Sequence, residues 1–297
     1  MENNLLEERQ ICFVPCFERG VMKRITALLL ALFAVVLLAG CRASDAPTLR
    51  LYFLDVGQGD SILVRTAQGD VLIDAGTEES QETLCLRLEQ LGVTELTLAV
   101  FTHADSDHMG GADGVVESFS VKEIWLSDTL DASESALRLA ETLKETDTEV
   151  NRVQGGTVKQ MGDALISVLY PLAENVADGN ENSIVLKLHY GEIDVLLTGD
   201  AGVEQEQTIL DTYGASQLAC DLYKVGHHGS NTSSSREFLE AIRPRYAVIS
   251  CGAANSYGHP TGEVLARLEG VGAEVLRTDL EGEIVFETDG IELSYRK

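Results

Sequence analysis

The sequence predicts an α/β protein with one mixed domain over residues 49–297, and three observations carry that expectation. Short β-rich runs alternate with amphipathic helical stretches from Leu49 onward, the pattern of a layered α/β architecture. At 44% hydrophobic and 24% charged, the 297-residue chain has the balance of a folded globular protein. No Pro/Gly/Ser-rich linker interrupts 49–297, and no short repeat marks a solenoid.

Strands are expected at Leu49–Val56, Ser61–Thr66 and Asp70–Asp74, separated by Gly57-Gln58-Gly59-Asp60 and Gln68-Gly69 as in a meander. Glu78–Leu91 reads as a helix with Leu84, Leu88 and Leu91 on one face, and Leu96–Thr102 as a buried strand running into a polar loop. Val121–Leu126 is another strand, and Ala132–Leu143 a helix with Leu137, Ala140 and Leu143 on one side. The second half repeats the mixture, with strands at Ala164–Tyr170, Ser183–Tyr190 and Ile193–Thr198 and a helix over Val203–Asp211. Strand Asp221–Val225 ends at a His-rich loop. Ser234-Ser235-Arg236-Glu237 has the form of a capping box, so a helix starts near Ser234 and Pro244 stops it. Strand Tyr246–Ser250, helix Gly262–Glu269 and strands Glu274–Leu276, Glu283–Glu287 and Ile291–Tyr295 complete the domain. There is a faint internal echo: Asp70–Asp74 is like Asp194–Leu197 followed by Gly199-Asp200, each an apolar strand with a carboxylate at its exit.

Composition excludes several classes. Six Cys are too few for a disulfide scaffold, and five Pro exclude collagenous or Pro-rich chains. With 48 acidic against 22 basic residues the net charge is −26, which argues against coating nucleic acid or anionic lipid by charge alone.

The N-terminal segment is out of character with the rest. Ile25–Leu38 is apolar, Met22-Lys23-Arg24 precedes it and Ala39-Gly40-Cys41 follows, so residues 22–41 read as a secretory signal too short for a comfortable membrane span. Leu38-Ala39-Gly40-Cys41 resembles the bacterial lipoprotein box, in which the Cys is lipidated. That implies a protein exported and anchored through lipid on Cys41 to the outer face of the cytoplasmic membrane. Residues 1–21 carry four Glu and have the wrong charge for a signal start, so they are read as an upstream extension, with Cys12 and Cys16 irrelevant to metal binding. Residues 42–48 form a linker. Of the remaining thiols, Cys85 is a small core residue and a Cys220–Cys251 bridge is left open.

The strongest chemical signal is Thr102-His103-Ala104-Asp105-Ser106-Asp107-His108-Met109-Gly110-Gly111, where four potential ligands follow an apolar strand. Imidazole and carboxylate suit borderline and hard divalent cations. His103 and Asp105 alternate and can face one ion, while Asp107 and His108 reach a second. A solvated acidic turn would also be polar, but two of the six His of the chain lie here.

This segment resembles the metallo-β-lactamase signature His-x-His-x-Asp-His, with Asp105 in place of the second His. The variant is similar to the C-terminal metallohydrolase domain of ComEC-type DNA-internalisation competence proteins. The likeness extends through Phe53–Ser61, Leu72–Gly76, Leu196–Asp200, Lys224–Ser230 and Tyr257–Pro260, in order, across roughly 49–297. Beyond the N-terminal segment there is no apolar run of ~20 residues to make the membrane channel of those proteins.

The resemblance implies a metallo-β-lactamase αββα sandwich, two mixed β-sheets with helices on both outer faces and a dinuclear site at one edge. It implies Asp200 as a bridge between two divalent cations and His259 as the last ligand. Of His227 and His228, at most one need touch metal; the other could protonate a leaving oxygen, and His228 is favoured as the functional member. Asp74 would orient or tune the ligand loop, with Asp60 a weaker candidate for the same task. The usual His before the bridging Asp is missing. His189 reads as a solvent-facing strand residue, and Asn180-Glu181-Asn182-Ser183 occupies the matching place. An oxygen-rich site favours manganese or magnesium over a typical zinc pair, with zinc still open. Ser230, Asn231 and Thr232 could receive a phosphate oxygen at a helix N-terminus or simply form a solvated cap.

The expected activity is metal-dependent hydrolysis of a phosphodiester such as DNA or a nucleotide, a substrate that follows from the resemblance and not from composition. Two rivals stay open: another hydrolase on the same fold, acting on a lactone, a β-lactam or a cell-wall phosphodiester, and a non-catalytic binding lipoprotein.

Overall fold

Alternation in the first strand already assigns two faces. In β1 (Leu49–Phe53), Leu49, Leu51 and Phe53 join one apolar cluster while Tyr52 joins another, because successive side chains of a strand point to opposite sides. The computed structural model describes residues 48–127, 133–172 and 179–296. Residues 1–47, which hold the expected upstream extension, the expected signal segment with Cys41, and all but Thr48 of the expected linker, lie outside the described residues.

Two sheets are built from consecutive stretches of chain. The first contains β1, β2 (Ile62–Thr66), β3 (Gly69–Ile73), β4 (Glu95–Phe101), β5 (Ser120–Val121), β6 (Glu123–Leu126) and β7 (Glu149–Arg152). The second is β8 (Val158–Met161), β9 (Ala164–Tyr170), β10 (Val185–Tyr190), β11 (Ile193–Leu197), β12 (Leu222–Lys224), β13 (Tyr246–Ile249) and β14 (Glu274–Arg277). β15 (Ile284–Thr288) and β16 (Leu293–Arg296) then return to the first sheet, pairing antiparallel with β1 and with each other. Both sheets are mixed. β1, β2 and β3 run antiparallel, then β3, β4, β6 and β7 parallel. β8 to β11 are antiparallel, then β11 to β14 parallel.

Three apolar layers hold this together. Leu51, Val64, Val100, Leu186, Val195 and Phe286 belong to the cluster between the sheets. The outer face of the first sheet packs Leu63, Leu72 and Ala99 against helices Gln81–Gln90, Ala112–Ser118 and Glu134–Thr142. The second sheet packs Leu196, Tyr223 and Ala247 against Val203–Tyr213, Arg236–Ile242 and Gly262–Gly270. This is the αββα sandwich, with helices on both outer faces.

The structure differs from the sequence reading in several places. The 134–142 helix buries Ser135 and Leu139; of the expected Leu137, Ala140 and Leu143, only Leu143 packs on the apolar layer, and Leu137 is 61% exposed. Leu139 joins the apolar layer that this helix shares with Ala112–Ser118, and that sets its rotation. The helix after the His-rich loop is capped by Ser235, whose side chain accepts from Phe238 N–H, and not by Ser234, whose hydroxyl pairs with Tyr223. Strands β7 and β8 and helix Ala112–Ser118 were not anticipated. Cys220 and Cys251 are both free thiols, so the bridge left open does not form.

Candidate metal centre

The parallel parts of both sheets deliver their carboxyl ends to one edge. Asp74 follows β3, Thr102 and His103 follow β4, Asp200 follows β11, and Gly226–Gly229 follows β12. Carboxyl ends of parallel strands are where α/β folds place ligands.

A relay of hydrogen bonds fixes three imidazoles. Asp74, buried at φ 59°, accepts from Thr102 N–H (2.7 Å), Thr102 Oγ1–H (2.8 Å) and His108 Nδ1 (2.8 Å). Because the Thr102 hydroxyl proton goes to Asp74, its oxygen accepts from His103 Nδ1 at 3.1 Å. His228 Nδ1 donates to the Ser250 carbonyl at 3.0 Å. With each Nδ1 engaged, the Nε2 lone pairs of His103, His108 and His228 face the site.

The His108 and His228 lone pairs converge on Asp200. His108 Nε2 lies 3.1 Å from Asp200 Oδ1 and 3.3 Å from His228 Nε2, while His228 Nε2 lies 3.2 Å from Asp107 Oδ2. Two imidazole lone pairs facing each other at that distance repel unless a cation or proton sits with them. His103 Nε2 and Asp200 Oδ1 are buried with no hydrogen-bond partner, and ligand atoms of Asp60, His108, Asp200 and His228 all lie within 4.8 Å of one another. Orphaned lone pairs in a buried Asp/His cluster are the donor set a divalent cation requires.

The electrostatics express the same crowding. Burial would lower the His108 imidazole, but Asp200 and Asp74 outweigh it and raise it well above its ordinary value. Burial opposes His228 too, yet Asp200 and Asp60 lift it to about 9. At His103 burial, aided by His108, outweighs the nearby carboxylates and pushes it down to about 3. Burial raises Asp74, whereas His108 and His228 override burial and hold Asp200 well below the usual carboxylate range.

The remaining expected residues line the rim. Asp105 is half exposed, 3.8 Å from His103 Nε2. His227 Nε2 is 3.5 Å from Asp200 Oδ2, and its Nδ1 meets Thr232 Oγ1 at 3.1 Å. The hydroxyls of Ser230 and Thr232 bond each other, which spends them on positioning His227. The His259 ring lies 5.7 Å from that of His227, outside the compact quartet. Its backbone is clasped by the Asn255 side chain. Ser183, in the Asn180–Ser183 segment, sits 3.4 Å from His103 Nδ1 and accepts from Asp200 N–H. His189 is exposed and paired with Asp194.

The sequence reading favoured His228 as the proton donor, but the structure buries it inside the quartet and leaves His227 facing a cleft of about 340 Å³ with Asn180, Glu204 and Thr232. It gives Asp60 a weak supporting part, and the structure buries Asp60 beside His108, Asp200 and His228. Nothing local in the sequence marks either placement, because each depends on loops from different sheets meeting.

Backbone strain accompanies the site. His227 and His228 hold φ values of 49° and 53°, a left-handed conformation costing roughly 1 kcal/mol or more for such residues. Gly59 (φ 146°) is required where a Cβ would collide with the Asp107 carbonyl. This close approach lets Asp60 N–H donate to that carbonyl at 3.0 Å. Farther out, Glu206 ties the tail of the His loop to helix Val203–Tyr213 by accepting from Ser234 and Ser235 N–H. Burial raises its carboxyl to about 7 despite those bonds.

Residues 54–253 match the Metallo-beta-lactamase superfamily. The chain belongs to this superfamily. Competence protein ComA of Neisseria gonorrhoeae is 37% identical over 235 residues, covering 78% of this chain and 31% of that protein. ComE operon protein 3 of Bacillus subtilis (strain 168) is 32% identical over 251 residues, 78% of this chain and 32% of that protein. The chain thus spans about a third of the length of these relatives, and the matched part is a ComEC-like metallohydrolase domain. The metallo-beta-lactamase fold protein YhfI of B. subtilis superposes with a TM-score of 0.54 at 12% identity, over 82% of this chain and 100% of that one. That likeness concerns the fold alone. Superfamily membership and the Asp/His cluster together make this a metal-dependent hydrolase related to competence proteins.

Proposed function

We propose that the protein is an exported, lipid-anchored phosphodiesterase that cleaves DNA or a nucleotide phosphodiester with two divalent cations. The observation that carries the reading is the convergence of the His108 and His228 Nε2 atoms, each fixed through Nδ1, on Asp200, with the His103 Nε2 buried and unpartnered next to them; the likeness to competence proteins supplies the substrate class. Asp107, His108, Asp200 and His228 would hold an inner cation, and His103, Asp105, Asp200 and His259 an outer one. Divalent cations there supply Lewis-acid chemistry, making a water acidic and offsetting charge on a phosphoryl oxygen. Asp74 holds the His108 ring in one tautomer. His227, open to the cleft and steadied by Thr232, would protonate a leaving oxygen. Asp105, in place of the second His of the signature, and the Asn180–Ser183 segment, in place of another His, support manganese over zinc.

The test is hydrolysis of single- and double-stranded DNA and of a small chromogenic phosphodiester by metal-free protein reconstituted with manganese or zinc. Manganese-dependent cleavage, lost with chelator and in Asp200→Asn, is expected. Turnover of a lactone alone would move the assignment to another hydrolase, and bound metal with no turnover of any substrate would make it a binding module. The anchor rests on the Met22–Cys41 pattern: a fatty-acid probe should label the protein and Cys41→Ala should abolish the label, whereas unlabelled cytoplasmic protein would overturn it.

A further inference from the structure

A lysine is the wrong charge to find beside a cation site. Lys224, at the end of β12, is nevertheless fully buried, and among the described residues no other lysine or arginine is. Its Nζ has two partners, Asp60 Oδ2 at 2.8 Å and the Val225 carbonyl at 2.9 Å. A buried ammonium costs several kcal/mol unless such partners compensate it, so the pair must be accounted for by what Asp60 does.

Asp60 is near the cation-binding atoms but approaches from the wrong side. Its Oδ1 lies 3.3 Å from His228 Nδ1, and its Oδ2 lies 4.0 Å from His108 Nδ1. Both contacts are to the back edges of the rings. A cation bound about 2.1 Å from an Nε2 lies on the opposite side of the imidazole. The Asp60 backbone is fixed as well: its N–H donates to the Asp107 carbonyl, and its own carbonyl accepts from Gly76 N–H at 2.8 Å.

We infer that Lys224 is a built-in counter-ion that withdraws Asp60 from the ligand set, making Asp60 a positioning residue behind the His228 and His108 rings. The assignment rests on the metal centre proposed above. It deepens that reading by deciding which carboxylates are open to the cation: Asp107 and Asp200 are, Asp60 is not. The pair also joins the β1–β2 loop of the first sheet to a strand of the second, directly beneath the site.

The experiment is equilibrium dialysis of metal-free protein against manganese and against zinc, for wild type, Asp60→Asn, Lys224→Met and the charge-neutral double variant. Asp60→Asn and the double variant should keep the wild-type number of cations per chain, with affinity reduced no more than about 10–100-fold, as for a group that orients a ligand. Nitrogen NMR of the metal-free proteins should show the Nδ1–H of His228 altered in Asp60→Asn, a signature that loss of bulk stability would not give. Lys224→Met, which leaves a buried carboxylate uncompensated, should bind cations at least tenfold more tightly than the double variant; if it does not fold, the other two variants decide. Loss of one cation equivalent in Asp60→Asn, or equal affinities for folded Lys224→Met and the double variant, overturns the inference. Wild type that binds neither metal overturns the metal centre itself, and this assignment with it.

Discussion

Two groups of ligand-type residues share one edge of the sandwich and are held very differently. The inner group, His108, Asp200 and His228 with Asp74 behind, is almost wholly buried, and every member makes hydrogen bonds or ion pairs inside the protein. The outer group relies on buried His103 but also on Asp105 and His259, which with the neighbouring His227 stand on loops and are partly solvated. Rigid, dry ligands lose little freedom on meeting a cation, while outer ones must give up water and motion. The lesson is that the two proposed positions are unequal: the inner one should fill first and the outer one respond more to pH and metal concentration.

Asp200 lies between the groups, so replacing it should produce the largest effect. Asp200→Asn removes a buried carboxylate from both positions and should weaken cation binding by more than the roughly 100-fold upper range for an orienting group, measured by elemental analysis and dialysis. Asp74→Asn should come next, at about 10–100-fold, because an amide NH2 cannot accept from the His108 Nδ1–H. His259→Ala separates the groups: one cation should be lost while the tighter one stays. Loss of both together would collapse the distinction between inner and outer positions.

A smaller effect concerns stability and pH. Glu206 titrates near 7 in the folded protein against an ordinary value of 4.5. Between those values the folded state holds the extra proton, so stability falls as pH rises from about 4.5 through 7. The loss should be of the order of a few kcal/mol. Glu206→Gln should flatten that slope in thermal melts from pH 4.5 to 8; an unchanged slope would assign it to other groups. Leu137→Ser should do least, within about 0.5 kcal/mol, since that side chain is exposed.

The sequence made the architecture legible wherever burial imposed a period. β1, β4, β9, β11 and β13 are apolar because both of their faces are covered. β7 and β8 were missed for the same reason in reverse: Glu149–Arg152 is largely exposed and polar, leaving no pattern to read. Ala112–Ser118 is short and contains Gly114, where a side chain would collide with Gln81. Close packing chose that residue over helix propensity. In the site, His103, Asp107 and His108 were readable because one loop compresses them. The quartet was not, because Asp60, Asp200 and His228 reach it from three loops and two sheets. Which of two adjacent histidines turns inward is decided by consecutive left-handed residues, a conformation that composition does not announce.

The site's division between two halves of the chain has a temporal consequence. His103, Asp107 and His108 hang from the first sheet, Asp200 and His228 from the second, and the first sheet is itself completed only when β15 and β16 return. A chain still emerging from the ribosome, or cut anywhere between β7 and β11, has no complete set of donor atoms. Ion capture therefore reports that both layers have closed on each other. It follows that hydrolytic capacity would appear late, only once both layers are in place.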